Sequence, residues 1–260
     1  MDHIKGKIIV VTAGANGLGS QTAIALSKAS AKVFICDKDI DAIDAFSKNY
    51  PKIQAHHVDV SDEHEMEAFF KEIGNKSKKI DVLINNAGIS GPSAKLEDVN
   101  FVEWKETIDT NLNGVFLATK FSIPLLKSNG GSIINIGSTS SFLGTPLRSA
   151  YSASKWGLIG LTKTWAMEYG NDNIRVNTIC PSSINGERIE SVIKNEAMYR
   201  NTTPEKIKDS YLSQTSLKAF IDADEVIGMI VYLLSPLAKK ITGQMLVIDG
   251  HTETLSMMDI

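Results

Sequence analysis

Seven short apolar runs alternate with longer stretches of helical period, and this alternation is the strongest constraint on how the chain can fold. The runs lie at residues 7–12, 32–37, 53–58, 80–85, 131–137, 174–180 and 245–249. Most are continuous in Val and Ile rather than alternating with polar residues, which predicts strands covered on both faces and hence a parallel sheet. The spacing predicts helices over residues 17–28, 101–120, 150–169 and 222–234, and another that begins at Ser61 as N-cap, with Asp62 and Glu63 in its first turn. Phe101, Trp104, Ile108, Leu112, Val115 and Thr119 mark the second of these with a period near 3.6. Strand and helix in turn give an α/β fold, a doubly wound sheet of about seven strands with helices on both faces and right-handed crossovers.

No linker, repeat or low-complexity tract divides residues 1–260, so one domain is expected. Residues 182–216 break the alternation. They are rich in Asn, Ser, Thr, Glu and Lys, and an insertion of this length beyond a strand's carboxyl end reads as a lid or substrate loop.

The balance of the composition narrows the function classes. A net charge of −3, from 27 basic and 30 acidic residues, leaves no electrostatic footprint for nucleic acid. No apolar run reaches the roughly 20 residues of a membrane span, and the amino terminus lacks the pattern of a secretory signal. Cys36 and Cys180 each sit in an apolar run and read as reduced core residues, which predicts a cytoplasmic protein.

Two motifs carry chemistry. The first, Thr12-Ala13-Gly14-Ala15-Asn16-Gly17-Leu18-Gly19, follows the first strand and opens the first helix. Glycines there let backbone approach a pyrophosphate, whose charge the helix N-terminus stabilises. Asp37 closes the second strand about 20 residues on, where a carboxylate would accept bonds from a ribose diol. The second motif is Tyr151-Ser152-Ala153-Ser154-Lys155. Its i,i+4 spacing puts Tyr151 and Lys155 on one helical face, where an ammonium favours the phenolate. Ser138, thirteen residues upstream at the end of a strand, can hold a substrate oxygen beside the tyrosine.

Together with Asn85-Asn86-Ala87-Gly88, Asn111 and Pro181, these residues resemble the short-chain dehydrogenase/reductase pattern in order and near its spacing, over essentially the whole chain. The resemblance implies a Rossmann-type domain that transfers hydride between a nicotinamide, here NAD, and an alcohol or carbonyl. It implies Tyr151 as general acid/base, Ser138 as partner of the substrate oxygen and Lys155 as holder of the nicotinamide ribose. It further implies Asn111 as the helix residue whose backbone holds a relay water. Gly14, Asn16, Gly17, Leu18, Gly19, Asp37, Asp59, Val60, Asn85, Ala87, Gly88, Pro181 and Ile184 match its cofactor-binding positions. The chain departs from the pattern at Ala13, where the family has glycine, a mild change if φ is negative. It departs again at Ser182, where the family's glycine gives the lid a flexible base.

Several features are open to plainer readings. Asn111 falls on the stripe of Trp104, Ile108 and Val115 and could be a satisfied core amide. His56 and His57 lack a ligand spacing and read as strand-end residues, so no metal site is expected. Trp156, Leu158, Leu161, Thr162 and Trp165 exceed what one core face needs. With the 101–120 helix they suggest a four-helix dimer contact, two of which make a homotetramer, with Met257, Met258 and Ile260 docking on a neighbour.

The function expected is interconversion of a secondary alcohol and a carbonyl on a small polar substrate. Arg148, three residues before Tyr151, and Arg188, early in the lid, could read the carboxylate of a hydroxy or sugar acid. Within the enzyme class the alternative is a 3-oxoacyl carrier-protein reductase, which would want NADP and a basic docking patch. From another class the alternative is a nucleotide-sensing binding protein without catalysis.

Overall fold

The computed structural model describes residues 2–255 of the 260. Seven parallel strands form one sheet: β1 (Ile8–Thr12), β2 (Lys32–Asp37), β3 (Gln54–His57), β4 (Val82–Asn85), β5 (Gly131–Ile136), β6 (Ile174–Pro181) and β7 (Met245–Ile248). Their order across the sheet is β3-β2-β1-β4-β5-β6-β7. The helices are α1 (Gly17–Lys28), α2 (Ile40–Asn49), α3 (Glu63–Ser77), α4 (Phe101–Ile108), α5 (Gly114–Leu126), α6 (Ser149–Glu168), α7 (Glu187–Tyr199), α8 (Pro204–Ser213) and α9 (Ala223–Leu234). The architecture is the single-domain α/β fold that the alternation predicts.

Alternate side chains of each strand feed two separate cores. Val10, Phe34, Leu83, Ile133 and Val176 pack with Phe69, Val115, Ala118 and Leu158 on one face. Ile9, Val11, Ile35, Ile84, Ile134 and Ile179 pack with Ala23, Leu26, Phe46, Val226 and Ile230 on the other. A sheet covered on both faces needs no polar side, which is why its strands read as continuous apolar runs.

Chain order reverses direction between β1 and β4. Loops leaving the carboxyl ends of these strands go to opposite faces, and a crevice opens between them. Val11 pairs with Ile84 and Asn85 with Asn135, so the ends of β1, β4 and β5 meet at one level below that crevice.

Three local expectations are corrected. The N-cap of α3 is Asp62, whose carboxylate accepts from Glu65 N at 2.9 Å. Ser61 instead donates its hydroxyl and backbone N–H to Asp59. The 101–120 helix is two helices joined by a π-helical turn, Asp109–Asn113, and it runs on to Leu126. The extra residue in that turn shifts the phase of the stripe. Thr107 and Asn111 face inward, whereas Phe101 is 72% exposed and Trp104 and Ile108 are half-buried. Third, Ala13 has φ of +49°, so its methyl stands in the left-handed region where glycine is favoured.

The 182–216 segment holds α7 and α8. Ile193, Ala197 and Ile207 form a small core of their own, with Ile189, Tyr211 and Phe220 against it. A parallel bridge ties Ile184, near its start, to Ile221, five residues beyond its end. Met257, Met258 and Ile260 lie outside the described residues. No helix among the described residues is long and apolar enough to cross a membrane.

Candidate active site

A cleft of about 910 Å³ runs along the carboxyl ends of β1, β2, β4, β5 and β6. At one end it is lined by Asn16, Gly17, Leu18, Asp37, Asp59 and Val60. At the other it is lined by Ala87, Gly88, Ser138, Arg148, Tyr151, Lys155, Pro181, Ile184 and Arg188. The structure thus brings together the two motifs that stand 132 residues apart (from Gly19 to Tyr151) in the sequence.

The glycine turn is built for close backbone approach. A Cβ on Gly19 would stand 2.1 Å from the Ala13 carbonyl oxygen and 2.5 Å from Asn86 Nδ2, so only glycine fits. Helices α2, α3, α8 and α9 are capped by Asp39, Asp62, Thr203 and Asp222. Asn16 caps α1 in extended conformation with no side-chain bond, which leaves the N–H groups of that helix directed at the cleft. An open helix N-terminus on a turn stripped of side chains suits a pyrophosphate, so the residues present fit a dinucleotide.

Asp37 holds the far side of that turn. Its carboxylate accepts from Ala15 N at 3.1 Å and from Asp39 N at 3.2 Å. Burial would raise the carboxyl of Asp59, but its bonds from Ser61 outweigh burial and hold it below the usual value.

At the other end, Ser138 follows β5 and caps a short 3-10 turn, Thr139–Ser141. Its Oγ accepts from Ser140 N at 3.2 Å, and its own N–H donates to Ser141 Oγ at 3.1 Å. Tyr151 and Lys155 stand on the first turns of α6. Lys155 is buried and donates to the Ile136 carbonyl at 2.8 Å, with its Nζ 5.7 Å from the Tyr151 ring centroid. Burial acts to raise the Tyr151 hydroxyl. Lys155, then Arg188, a hydrogen bond from Ser138 and Arg148 act the other way, and the net effect is a lowered pKa. Lys155 is itself lowered, first by burial and then by the Arg188 charge, against the opposing pull of Tyr151.

Four expected site residues do not line the cleft. Gly14 packs its α-carbon against Ile35, and Gly19 lies behind the turn. Asn85 turns away: its Nδ2 donates to Asn135 Oδ1 at 2.8 Å and to Thr119 Oγ1 at 3.2 Å in a buried polar layer. The side chain of Asn111, in the π-helical turn, bonds both the N–H and the carbonyl of Ile89, at 2.7 and 2.9 Å, and Ser154 Oγ at 3.2 Å. It is a satisfied core amide that fixes the Gly88–Ile89 segment. Gly88 is wedged beside it, since a Cβ there would stand 3.2 Å from Asn111 Oδ1 and 3.5 Å from Lys155 Nζ.

A family model described as enoyl-(acyl carrier protein) reductase matches residues 12–251 of this chain. A 3-oxoacyl-[acyl-carrier-protein] reductase of Thermotoga maritima is 33% identical over 253 residues, spanning 95% of this chain and 98% of the relative. The chain belongs to the short-chain dehydrogenase/reductase family. The meso-2,3-butanediol dehydrogenase of Serratia marcescens is 30% identical over 246 residues, 94% of this chain and 93% of its own length. The solved structure of NAD⁺-bound xylitol dehydrogenase superposes with a TM-score of 0.90 at 25% identity, covering 94% of this chain and 98% of that one. Short-chain dehydrogenases/reductases are nicotinamide-dependent oxidoreductases that act on CH–OH groups, and this chain is one of them.

Some residues that shape this short-chain dehydrogenase/reductase cleft escape a reading of the sequence. Asn86 clamps the glycine turn, its Nδ2 donating to the carbonyls of Thr12 and Ala13, each at 3.0 Å. Thr12 Oγ1 accepts in return from the backbone N–H of Asn86 and Ala87. Tyr211 of α8 lines the side of the cleft formed by the 182–216 segment and donates to Glu196 Oε2 at 2.8 Å, and Glu196 pairs with Arg200 at 2.8 Å. Ser182 also lines the cleft, with a buried hydroxyl that has no hydrogen-bond partner. His56 and His57 end β3 away from the cleft: His56 packs edge-on to Phe69, and His57 bonds the Lys38 carbonyl.

Proposed function

We propose that this protein is an NAD(H)-dependent oxidoreductase that interconverts a secondary alcohol and a carbonyl on a small polar substrate. The convergence of Ser138, Tyr151 and Lys155 at one end of a cleft whose other end carries Asp37 supports this reading above all else.

In the oxidation, the substrate hydroxyl lies between Ser138 Oγ and Tyr151 Oη. Ser138 orients the oxygen. Tyr151, as phenolate, accepts the hydroxyl proton while the carbon gives up its hydride, and in the reverse direction it returns the proton to the carbonyl oxygen. NAD, when bound, supplies the hydride acceptor, and NADH the donor. Lys155 holds the nicotinamide ribose, and its charge favours the phenolate. Asn111 serves the proton path through its place in the π-helical turn. The uncapped start of α1, with Asn16, Gly17 and Leu18, holds the pyrophosphate, while Asp37, Asp59 and Val60 hold the adenosine. Gly14 and Gly19 make room for that approach. Ala87, Gly88, Pro181 and Ile184 flank the nicotinamide, with Asn85 behind them.

Asp37 favours NAD, because its carboxylate would bond a ribose diol and repel a 2′-phosphate. It disfavours the 3-oxoacyl carrier-protein reductase reading, in which NADP is expected. Butanediol and xylitol dehydrogenases among the similar proteins support a small polar substrate, and Arg148 and Arg188 at the cleft support a hydroxy or sugar acid within that class. The complete set of Ser138, Tyr151 and Lys155 disfavours a non-catalytic nucleotide sensor. The 182–216 segment acts as the lid. Exposed Trp156 on α6 and Phe101, Val102 and Phe116 on α4 and α5 support a homodimer or homotetramer through these helices. Free, buried Cys36 and Cys180 accord with the reducing cytoplasm, and burial pushes the Cys36 thiol up to about 12.

The test is a panel of diols, polyols and hydroxy acids incubated with NAD, followed by NADH absorbance. Turnover of at least one small alcohol is expected. Cofactor binding with no turnover across the panel would replace this reading with the sensor.

A further inference from the structure

Arg148 presents an uncompensated charge at the reacting end of the cleft. It is 7% exposed, yet no carboxylate lies within ion-pair distance of it among the described residues. Its Nη1 makes one long bond to Ser93 Oγ at 3.3 Å, and its Nε is buried without a partner. A guanidinium taken out of water and left unpaired is costly, and is retained only where something offsets the cost. The residue before it adds to that cost: Leu147, also buried, has φ of +65°, a left-handed conformation unfavourable for leucine.

Other candidates for its counter-charge are engaged elsewhere. Glu196 is taken by Arg200 and Tyr211. Glu187 lines the cleft but is exposed and makes no ion pair with Arg148. Tyr211 gives its proton to Glu196, so it has no hydrogen left for an anion. Arg188 donates to the Gly88 carbonyl at 3.0 Å, is exposed, and acts through its charge on the Tyr151 hydroxyl.

We propose that the buried Arg148 seats the substrate's carboxylate, and that the substrate is a short hydroxy or oxo acid. This rests on the reading of the cleft as a dehydrogenase site. The guanidinium lies 5.2 Å from the Tyr151 ring centroid, and Arg148 is the N-cap residue of α6, three residues before Tyr151. A carboxylate paired with Arg148 at about 2.8 Å is therefore within a few bonds of a carbon whose oxygen reaches Tyr151. Beyond that point the wall mixes apolar Ile189, Val192 and Phe220 with the polar Ser182 and Thr215.

The experiment compares four-carbon 2- and 3-hydroxy acids with the diols in which CH₂OH replaces the carboxylate, using NAD and full-length protein. It is paired with thermal protection of the NADH-bound protein by butanoate, butanamide and inorganic phosphate. The expected result is a kcat/KM at least 30-fold higher for one acid than for its diol, and protection by butanoate alone. Arg148→Met should lower that ratio at least 30-fold and abolish the protection. Arg148→Lys, which keeps charge but not the two-pronged donor, should lose an intermediate part, so that a folding defect in the first variant does not mimic the result. Equal losses for acid and diol in both variants, or phosphate protecting as well as butanoate, would overturn the proposal. The butanoate measurement does not depend on turnover. Protection lost in Arg148→Met with no alcohol oxidised would keep the anion seat and reject the dehydrogenase reading.

Discussion

The ammonium of Lys155 is pinned by the Ile136 carbonyl at 2.8 Å and lies 5.7 Å from the centre of the Tyr151 ring. This fixed cation, with Arg188 and Arg148 behind it, offsets the burial that would otherwise keep Tyr151 protonated.

The pH dependence of turnover follows from that balance. Oxidation needs the phenolate, so its rate should rise with pH through the lowered Tyr151 pKa and level off below the usual tyrosine value of about 10. Reduction needs the phenol and should fall over the same range. Lys155→Met removes the largest charge that favours the phenolate and should move the oxidation profile alkaline. Tyr151→Phe should lose about 10²- to 10⁴-fold in turnover while NADH still binds, as read by fluorescence. A Tyr151→Phe variant with near-normal turnover would remove Tyr151 from the reaction.

Asp37 should set the cofactor. Asp37→Ala loses charge-assisted bonds to the ribose and relieves repulsion of a 2′-phosphate. The kcat/KM preference for NAD over NADP should fall by about tenfold or more. The check is steady-state kinetics with both cofactors, and an unchanged preference would assign the discrimination elsewhere.

Ala13→Gly should stabilise the protein. An alanine held at φ +49° costs about 1–2 kcal/mol, of which the extra freedom of an unfolded glycine returns only about half. The gain of about 0.5–1 kcal/mol should raise Tm by about 2 °C in scanning calorimetry. A lowered Tm would mean that the methyl makes contacts that outweigh its backbone strain.

Gly19→Ala should do the reverse at the same turn. The new Cβ meets the Ala13 carbonyl oxygen rather than a flexible side chain, so the turn itself must move. NADH affinity should fall more than tenfold, with a drop in Tm, whereas Gly144→Ala, which meets nothing within 4 Å, serves as the control.

Much of the fold was legible because buried parallel strands leave a coarse signal. The runs at 32–37 and 174–180 coincide with strands to within a residue. Fine geometry was not. Ser61 and Asp62 are both capping residues, and only the loop path decides between them. A stripe at period 3.6 does not reveal a π-helical turn, so Trp104 and Ile108 read as core partners of Asn111. The sign of φ at Ala13 is set by the approach of Gly19 and Asn86, which no local pattern contains. The Asn85 orientation could have been found: it shares strand parity with Leu83 and so faces the same packed layer. That Tyr151, Lys155 and Ser138 meet in one cleft was legible from their spacing and from the strand end and helix start that carry them. The carboxylate chain of Glu196, Arg200 and Tyr211 was not, since its members sit in a polar segment where charged residues are common.

The clamp of Asn86 on the carbonyls of Thr12 and Ala13 joins the end of β4 to the loop that leaves β1. The turn of the nucleotide cradle is therefore held by the protein's own hydrogen bonds. A dinucleotide arriving at such a cradle surrenders its own freedom but little of the protein's, so affinity there is limited by the flexibility of the guest. Loosening this one amide, as in Asn86→Ala, transfers the ordering cost from the folding reaction to every binding event.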